Sequence, residues 1–198
     1  MKLLAIDGNS ILNRSFYGVK LLTTKDGFFT NALVGFLNIL MKMQSELSPD
    51  AVVVAFDVHA PTFRHKMYDA YKGTRKGTPE ELLMQMPVAK KMIRALGYAV
   101  VEKEGYEADD IVGTLADLCV KSGNQCVVAT GDRDCLQLIT DEVQVRLATT
   151  REAILYTPQK YFDEYGIEPE QLVDVKALMG DSSDNIPGVK EMCIRDSL

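Results

Sequence analysis

Acidic side chains crowd one short stretch of this chain. In EGYEADDIVGTL, residues 104–115, Glu107, Asp109 and Asp110 fall within four positions, just ahead of an apolar stripe. At a separation of about 4 Å, two like charges repel by roughly 4 kcal/mol at an effective dielectric near 20. A folded protein can relieve this repulsion by protonation, which raises pKa values, or by binding a positive partner.

Further acids follow short apolar runs that are typical of buried strands. Asp7 follows KLLAI, Asp57 follows AVVVAF, and Asp132 lies in the GDRD that follows QCVVAT. In an open α/β sheet, ligands bind outside the carboxyl ends of the strands. Together with the loop GDSSDN, five separated segments are therefore expected to bring nine carboxylates to one edge of a sheet. The nine are Asp7, Asp57, Glu107, Asp109, Asp110, Asp132, Asp134, Asp181 and Asp184.

Each of these acids also has a simpler explanation. Acids in the first turn of a helix are favoured by about 0.3–1 kcal/mol, so a helix start explains EADD as well as a set of ligands does. Asp132 or Asp184 alone is more typical of a cap or a turn. Helix starts do not explain why the junctions carry acids in preference to Ser, Thr or Asn. The combined pattern therefore favours a binding site.

An all-oxygen set of ligands selects hard cations. Carboxylates without His or Cys suit Mg²⁺ or Mn²⁺ rather than zinc. The chain has only two histidines and no Cys-x-x-Cys pair, so its four cysteines are expected to be free thiols in a reducing compartment. Several carboxylates can hold two metal ions about 3.5–4 Å apart, an arrangement suited to in-line attack on a phosphodiester. Divalent cations would then make the crowded acids tolerable.

A basic segment, FRHKMYDAYKGTRKGTP, occupies residues 63–79. It holds one acid, Asp69, against five basic residues, Arg64, Lys66, Lys72, Arg75 and Lys76. Tyr68 and Tyr71 lie between the cations, and this mixture suits a nucleic-acid strand, whose phosphates pair with Lys and Arg and whose bases stack on rings. A solvated loop or helix face is the alternative. Because the rest of the protein is acidic, local attraction of an anionic substrate is the favoured interpretation.

The elements that position these residues alternate along the chain. Buried parallel strands are predicted at residues 2–6, 51–56, 99–101 and 125–130. Helices are predicted at residues 31–47, 80–96, from 107 onward, 158–165 and 169–179. Strands alternating with helices predict an α/β fold with a mainly parallel sheet flanked by helices.

The composition is that of a globular protein. Its 198 residues suit one domain, 46% of them are hydrophobic, and the net charge is −6. That charge disfavours polyanion binding by the surface as a whole, unless the two signs are segregated. No apolar run approaches the roughly 20 residues of a membrane span, and no secretion signal is present, so a cytoplasmic protein is expected.

Six motifs in fixed order resemble a known family. They are DGNS with Asn13-Arg14, AFD, FRHKMYDAYKGTRK, EGYEADD, TGDRD and GDSSDNIPGV. Residues 1–190 closely resemble the 5′-nuclease domains found at the N-terminus of bacterial DNA polymerase I, within the flap endonuclease family. The resemblance implies a PIN-like fold, two Mg²⁺ ions, and 5′-to-3′ hydrolysis of DNA at nicks, 5′ ends and 5′ flaps in replication and repair.

The resemblance also implies roles for single residues. The nine acids match the metal-site acids of the family. Lys72 and Arg75 match the residues of a cationic arch near the scissile phosphate, so both are expected to be catalytic together with Asp109, the most central carboxylate. The residues expected to contact DNA are Arg14, Arg64, Tyr71, Lys72, Arg75 and Lys76.

The domain organisation expected from the resemblance has two parts. Residues 1–189 would form the nuclease domain, with the basic arch at about 63–79. Residues 190–198 form an atypical tail, in which the helix-hairpin-helix of the family is not found. A polymerase domain, absent from this sequence, would follow in the full-length chain, and the protein would act on nucleoid DNA in a bacterial cytoplasm.

Two other functions stay open from the sequence. A Mg²⁺-dependent phosphatase or phosphotransferase would also place Asp at strand ends, but it usually needs Asp-x-Asp after the first strand. The chain has Asp7-Gly8-Asn9 there, and Asp132-Arg133-Asp134 follows a late strand. A non-catalytic DNA-binding module, with structural acids, is the third function considered.

Overall fold

Six strands form the central sheet of the computed structural model, which describes residues 1–58, 60–75, 77–149 and 152–189. The strands are β1 (Lys2–Asp7), β2 (Ala51–Phe56), β3 (Ala99–Glu102), β4 (Gln125–Thr130), β5 (Val143–Ala148) and β6 (Ala153–Tyr156). Their order is β3-β2-β1-β4-β5-β6; the first five pair in parallel, and only β6 is antiparallel. The predicted mainly parallel sheet is confirmed. Lys76 and the tail 190–198 lie outside the described residues.

Helices connect and cover the strands. They are α1 (Gly8–Gly18), α2 (Asn31–Leu47), α3 (Phe63–Met67), α4 (Glu80–Leu83), α5 (Gln85–Ala95), α6 (Ala108–Lys121), α7 (Pro158–Tyr165) and α8 (Leu172–Met179). Two 3₁₀ segments, Arg133–Leu138 and Pro169–Gln171, and a small antiparallel pair, β7 (Gly180–Asp181) and β8 (Ile186–Pro187), complete the described elements. None of the described helices combines the length and the apolar character that a membrane crossing needs.

Two hydrophobic cores lie on opposite faces of the sheet. Successive side chains of a strand point to opposite faces, and β1 accordingly contributes Leu3 and Ala5 to one core and Leu4 and Ile6 to the other. The first core includes residues of α6, and the second includes residues of α1, α2 and α5. Helices on both faces bury the sheet, so its strand ends are the natural place for a polar site.

The junction of β1 and α1 shows how local sequence creates the site. Asp7 ends the strand and caps the helix, because its side chain accepts a hydrogen bond from the backbone N–H of Ser10. Gly8 begins the helix where a Cβ atom would lie 2.6 Å from the Phe56 ring and 2.8 Å from the Ala55 carbonyl oxygen. Only glycine allows β1 and β2 to approach this closely at their carboxyl ends.

Three element predictions were wrong in detail. The helix predicted at 80–96 is interrupted at Met84, because Pro87 has no N–H for the Leu83 carbonyl and its ring crowds that carbonyl. The strand predicted as buried at 99–101 is β3, which lies at the edge of the sheet; Ala99 is exposed and Val101 is half-buried. The helix predicted at 169–179 begins as a 3₁₀ turn before α8.

Candidate active site

A cavity of about 730 Å³ opens at the carboxyl ends of the central strands. Seven of the nine predicted acids line it, and they come from four strand ends and the loop after β7. They are Asp7, Asp57, Glu107, Asp109, Asp132, Asp134 and Asp184. Three basic residues line the same cavity: Arg14, Lys72 and Arg75. The structure therefore brings together most of the predicted acids and three of the predicted cations.

Asp7 is one of the two buried acids that line the cavity. Its side chain is buried, and it accepts hydrogen bonds from the Ser10 backbone N–H at 2.9 Å and the Thr130 hydroxyl at 3.0 Å. Burial, followed by the charges of Asp57 and Asp109, raises the pKa of Asp7 to about 7 against these hydrogen bonds. A cation that approaches Asp7 would stabilise the charged form of its carboxyl group.

Asp57 and Asp109 face the cavity beside the start of α6. An oxygen of Asp57 accepts the Ala108 backbone N–H at 2.6 Å, so the end of β2 is tied to the first turn of this helix. Burial raises the pKa of Asp57, and burial together with the charges of Glu107 and Asp110 raises the pKa of Asp109 to about 6. The helix start and the predicted ligand set are thus the same residues, so the two interpretations of the sequence do not exclude each other.

Glu107 is held by two side chains of the basic segment. It is buried, and one of its oxygens accepts hydrogen bonds from the Lys72 ammonium at 2.6 Å and from the Tyr71 hydroxyl at 3.0 Å. Tyr71 is itself only 5% exposed, so its ring offers little surface to a base. The stacking role expected for Tyr71 is therefore not supported by its placement, and its hydroxyl positions Glu107 instead. Tyr68 keeps the more exposed ring.

Asp110 does not line the cavity. Both of its oxygens accept hydrogen bonds from the Arg64 guanidinium, each at 2.7 Å, and one also accepts the Glu107 backbone N–H at 2.9 Å. Burial raises the pKa of Asp110, but the hydrogen bonds and charge of Arg64 outweigh it, and the net shift is downward. Arg64 thus fastens α3 to the start of α6 and does not line the cavity.

Lys176 joins two acids from separate elements. Its ammonium lies 2.7 Å from Asp134 and 2.9 Å from Asp181, which does not line the cavity. Burial lowers the pKa of Lys176, but hydrogen bonds to both carboxylates raise it overall. Lys176 could not be predicted from the sequence, because a single lysine on a short helix carries no signal of a partner that lies 42 positions away along the chain.

Neutral polar residues of the DGNS motif also shape the cavity and were not singled out from the sequence. Asn9 accepts the Asp57 backbone N–H at 2.9 Å, and the Ser10 hydroxyl accepts the Gly131 backbone N–H at 2.8 Å. These bonds connect the ends of three neighbouring strands, β2, β1 and β4. The signal that could have found them is the position of the motif directly after β1, where α1 begins.

The donor set suits hard divalent cations, although side-chain cations hold several of the acids. Within the described ranges, no three His, Cys, Asp or Glu side chains are gathered closely enough to hold an ion on their own. The acids instead line a wide cavity and present oxygen atoms of partly desolvated carboxylates, as the raised pKa values of Asp7, Asp57 and Asp109 indicate. Oxygen donors of this kind fit Mg²⁺ and Mn²⁺.

Residues 2–166 match the family described as the 5′-3′ exonuclease, N-terminal resolvase-like domain. The chain belongs to this family. DNA polymerase I of Bacillus subtilis is 47% identical to this 5′-3′ exonuclease domain over 192 residues, which cover 95% of the chain and 22% of the relative. The thermostable DNA polymerase I of Thermus aquaticus is 41% identical over 189 residues, which cover 96% of this chain and 22% of that relative. The chain thus spans about a fifth of the length of these relatives.

Solved structures share the fold of this exonuclease domain. The T5 D15 protein, crystallised with metal ions, superposes with a TM-score of 0.78 at 22% identity, covering 97% of this chain and 71% of that one. The catalytic core of Rad2 in complex with DNA gives a TM-score of 0.57 at 15% identity, with 96% and 58% covered. The predicted flap-endonuclease-like fold is confirmed.

Proposed function

We propose that this exonuclease-family domain is a metal-dependent 5′-nuclease that hydrolyses DNA phosphodiesters at 5′ flaps, nicks and 5′ ends. The observation that carries the proposal is the cavity at the strand ends, where seven acids and the cations of Arg14, Lys72 and Arg75 line one space. Acids alone would repel a phosphate, and cations alone would bind it without activating water. A cavity with both suits hydrolysis of a phosphodiester.

Two divalent cations, Mg²⁺ with Mn²⁺ as a substitute, would be held by the acids that line the cavity. Asp110 and Asp181 match the family pattern, but they would join the ligand set only by leaving Arg64 and Lys176. When bound, the cations would polarise the phosphodiester and lower the pKa of water. Their charge would also offset the repulsion that Asp7 and Asp109 experience in a desolvated site.

The basic residues of the cavity would act on the substrate itself. Lys72 reaches the acids from the basic segment, and its ammonium would stabilise charge that develops on the phosphoryl oxygens. Arg75 lies beside Asp184 and would contact a neighbouring phosphate. Arg14, on α1, approaches the cavity from another side and would orient the strand. Asp109 would be the central carboxylate of the catalytic set.

The substrate proposed is DNA with a 5′ flap, nick or free 5′ end. The structural neighbours include a T5 flap endonuclease in a complex with DNA and metal ions, which supports this substrate class. The relatives are DNA polymerases I, so a polymerase domain in the same full-length chain is part of the proposal. The setting would be primer and flap removal during replication and repair in a bacterial cytoplasm.

The direct test is cleavage of a 5′-flapped duplex by the 198-residue chain, with Mg²⁺ or with a chelator. Asp109→Asn serves as the site variant, and Asp117→Asn serves as its matched control, because Asp117 lies on the same helix and pairs with Lys121 at the surface. We expect Mg²⁺-dependent cleavage by the wild type and by Asp117→Asn, and little cleavage by Asp109→Asn.

Three outcomes separate the possible functions. Metal-dependent cleavage near the flap junction supports the nuclease. Flap binding without cleavage in any metal contradicts it and favours a DNA-binding module. Turnover of small phosphate esters with no action on DNA contradicts it and favours a phosphatase.

A further inference from the structure

The basic segment is fastened to the acidic loop by four contacts. Arg75 pairs with the Asp184 carboxylate and donates to the Ser183 carbonyl at 3.3 Å. The backbone N–H of Lys72 donates to the Asp184 carbonyl at 2.9 Å, and the side-chain amide of Asn185 donates to the Ala70 carbonyl at 2.9 Å. We call this set of contacts the clasp; it joins residues 70–75 to residues 183–185.

Backbone geometry at the clasp is unusual on both sides. Lys72 has φ of 55° and Asn185 has φ of 59°, and non-glycine residues seldom adopt this left-handed conformation. Asn tolerates it better than most residues, whereas Lys has no such preference. The left-handed Lys72 lies in a turn closed by the Gly73 N–H, which donates to the Ala70 carbonyl at 3.0 Å, and the loop engages both that carbonyl and the Lys72 N–H.

The clasp lies beside the residues that face the cavity. Lys72 places its ammonium 2.6 Å from Glu107, and Asp184 lines the cavity on the other side of the clasp. If the loop moved away, the turn at Lys72 would keep its internal hydrogen bonds but would lose the four clasp contacts that brace it against the cavity. Among the residues whose side chains make clasp contacts, Asn185 is uncharged and does not line the cavity.

We propose that Asn185 is a positioning residue that holds the basic segment so that Lys72 faces the acidic cavity. It acts through the Ala70 carbonyl and its own left-handed backbone and touches neither substrate nor metal. The inference rests on the proposed nuclease function for its effect on rate, while its effect on the segment is independent of activity.

Two variants separate the side chain from the backbone. Asn185→Gly removes the amide but accepts the left-handed conformation, whereas Asn185→Ala removes the amide and strains the backbone. Ser48→Gly is the matched control, because Ser48 also has a positive φ, 46°, at the end of α2 and lies outside the cavity. The purified 198-residue chain and its variants are compared in each case.

The first readout needs no activity. Trypsin can cut at the Lys72–Gly73 bond when the basic segment opens, and the rate reports the open population. Loss of one hydrogen bond should raise this rate roughly fivefold in Asn185→Gly and more in Asn185→Ala, with no change in Ser48→Gly. A wild-type rate in Asn185→Gly would overturn the proposal, even if the wild type cleaved no DNA.

The second readout uses a double-mutant cycle on the flapped duplex in Mg²⁺. Asn185→Gly should lower kcat roughly fivefold with little change in KM, because it displaces Lys72 rather than a binding contact. In a Lys72→Ala background, Asn185→Gly should cause no further loss. A further fivefold loss in that background would contradict action through Lys72. A wild type that cleaves no DNA would sink the proposed function and leave the tryptic result to decide the clasp.

Discussion

The two edges of the same sheet carry cavities of very different chemistry. The cavity at the carboxyl edge, about 730 Å³, is lined by seven acids and three basic residues. A cavity of about 560 Å³ at the amino edge has one acid, Asp50, and one basic side chain, Lys2. Asp50 there accepts the Lys2 backbone N–H at 2.6 Å. Concave space alone therefore does not make a site.

What differs between the edges is the number of acids that share one desolvated space. Strand ends followed by helix starts place Asp7, Asp57 and Asp109 together, and burial raises the pKa of each. At the amino edge, Asp50 is exposed to solvent. A site that is prepared for cations should thus respond to metal, to charge removal and to pH, whereas the amino edge should respond to none of them.

The largest effect is expected from Asp109→Asn. Neutralising the central acid should lower kcat on a flapped duplex by roughly 10³-fold, more than the 10- to 100-fold typical of residues that only support a metal ligand. Flap binding, measured by fluorescence anisotropy, should change little, because the basic residues remain. Asp50→Asn makes the same chemical change at the amino edge and should keep wild-type turnover. Equal losses in the two variants would break the comparison.

Lys72→Ala should have the second largest effect. Removing a cation aimed at developing charge typically costs roughly 10²-fold or more in kcat, and KM should rise much less. Lys90→Ala is the control, because Lys90 also forms an ion pair, with Glu102, but lies outside the cavity lining. Single-turnover assays would check both. A Lys72→Ala variant that changes KM alone would show that Lys72 only binds DNA.

The third prediction concerns stability and pH. The folded pKa of Asp7 is about 7 and that of Asp109 about 6, against an ordinary value of 3.8. Between pH 4 and 7 these two sites therefore bind more protons in the folded chain than in the unfolded chain, so their contribution to the free energy of unfolding without divalent metal falls as pH rises. The loss continues as pH rises through the pKa of Asp7 and levels off about one unit above it.

Metal should reverse that loss where the carboxylates are ionised. Saturating Mg²⁺ should raise Tm by roughly 5 °C at pH 8 and much less at pH 5, since protons compete for the same oxygens. Differential scanning calorimetry with Mg²⁺ or a chelator would measure both. A larger rise at pH 5 would contradict the assignment. Asp50→Asn should leave the pH dependence of the metal effect unchanged.

The smallest predicted effect separates two roles for Tyr71. Tyr71→Phe keeps the ring but removes the hydroxyl that donates to Glu107 at 3.0 Å. Losing this hydrogen bond should lower kcat roughly fivefold, with DNA affinity unchanged. If the ring of Tyr71 instead stacked on a base, Tyr71→Phe would leave kcat unchanged. Tyr68→Phe, at a more exposed ring, is the matched control and should show wild-type kinetics.

Much of the fold and of the cavity could be predicted from the sequence, because the relevant signals are local. A β-branched run ending in Asp identifies a strand and its carboxyl end in the same few residues, as in AVVVAF followed by Asp57. The parallel arrangement then brings such ends to one edge. The basic segment could be predicted as well, since its five cations all lie within residues 64–76.

What could not be predicted depends on pairings that leave no mark in the local sequence. The pairing of Arg64 with Asp110, and of Lys176 with Asp134 and Asp181, joins positions whose local sequence is the same whether they pair or not. The edge position of β3 could not be predicted either, because a short apolar run has the same composition at the edge and in the centre of a sheet. The burial of Tyr71 could not be predicted either, because aromatic rings serve both burial and stacking.

The most direct test of the central claim is a crystal structure of the chain soaked with Mn²⁺ near pH 8, with anomalous differences collected for the metal. We predict anomalous peaks in the carboxyl-edge cavity within coordination distance of oxygens of Asp7, Asp57 or Asp109. Peaks confined to the amino edge, or no peak in the cavity at saturating Mn²⁺, would contradict the proposal that hard cations bind these acids.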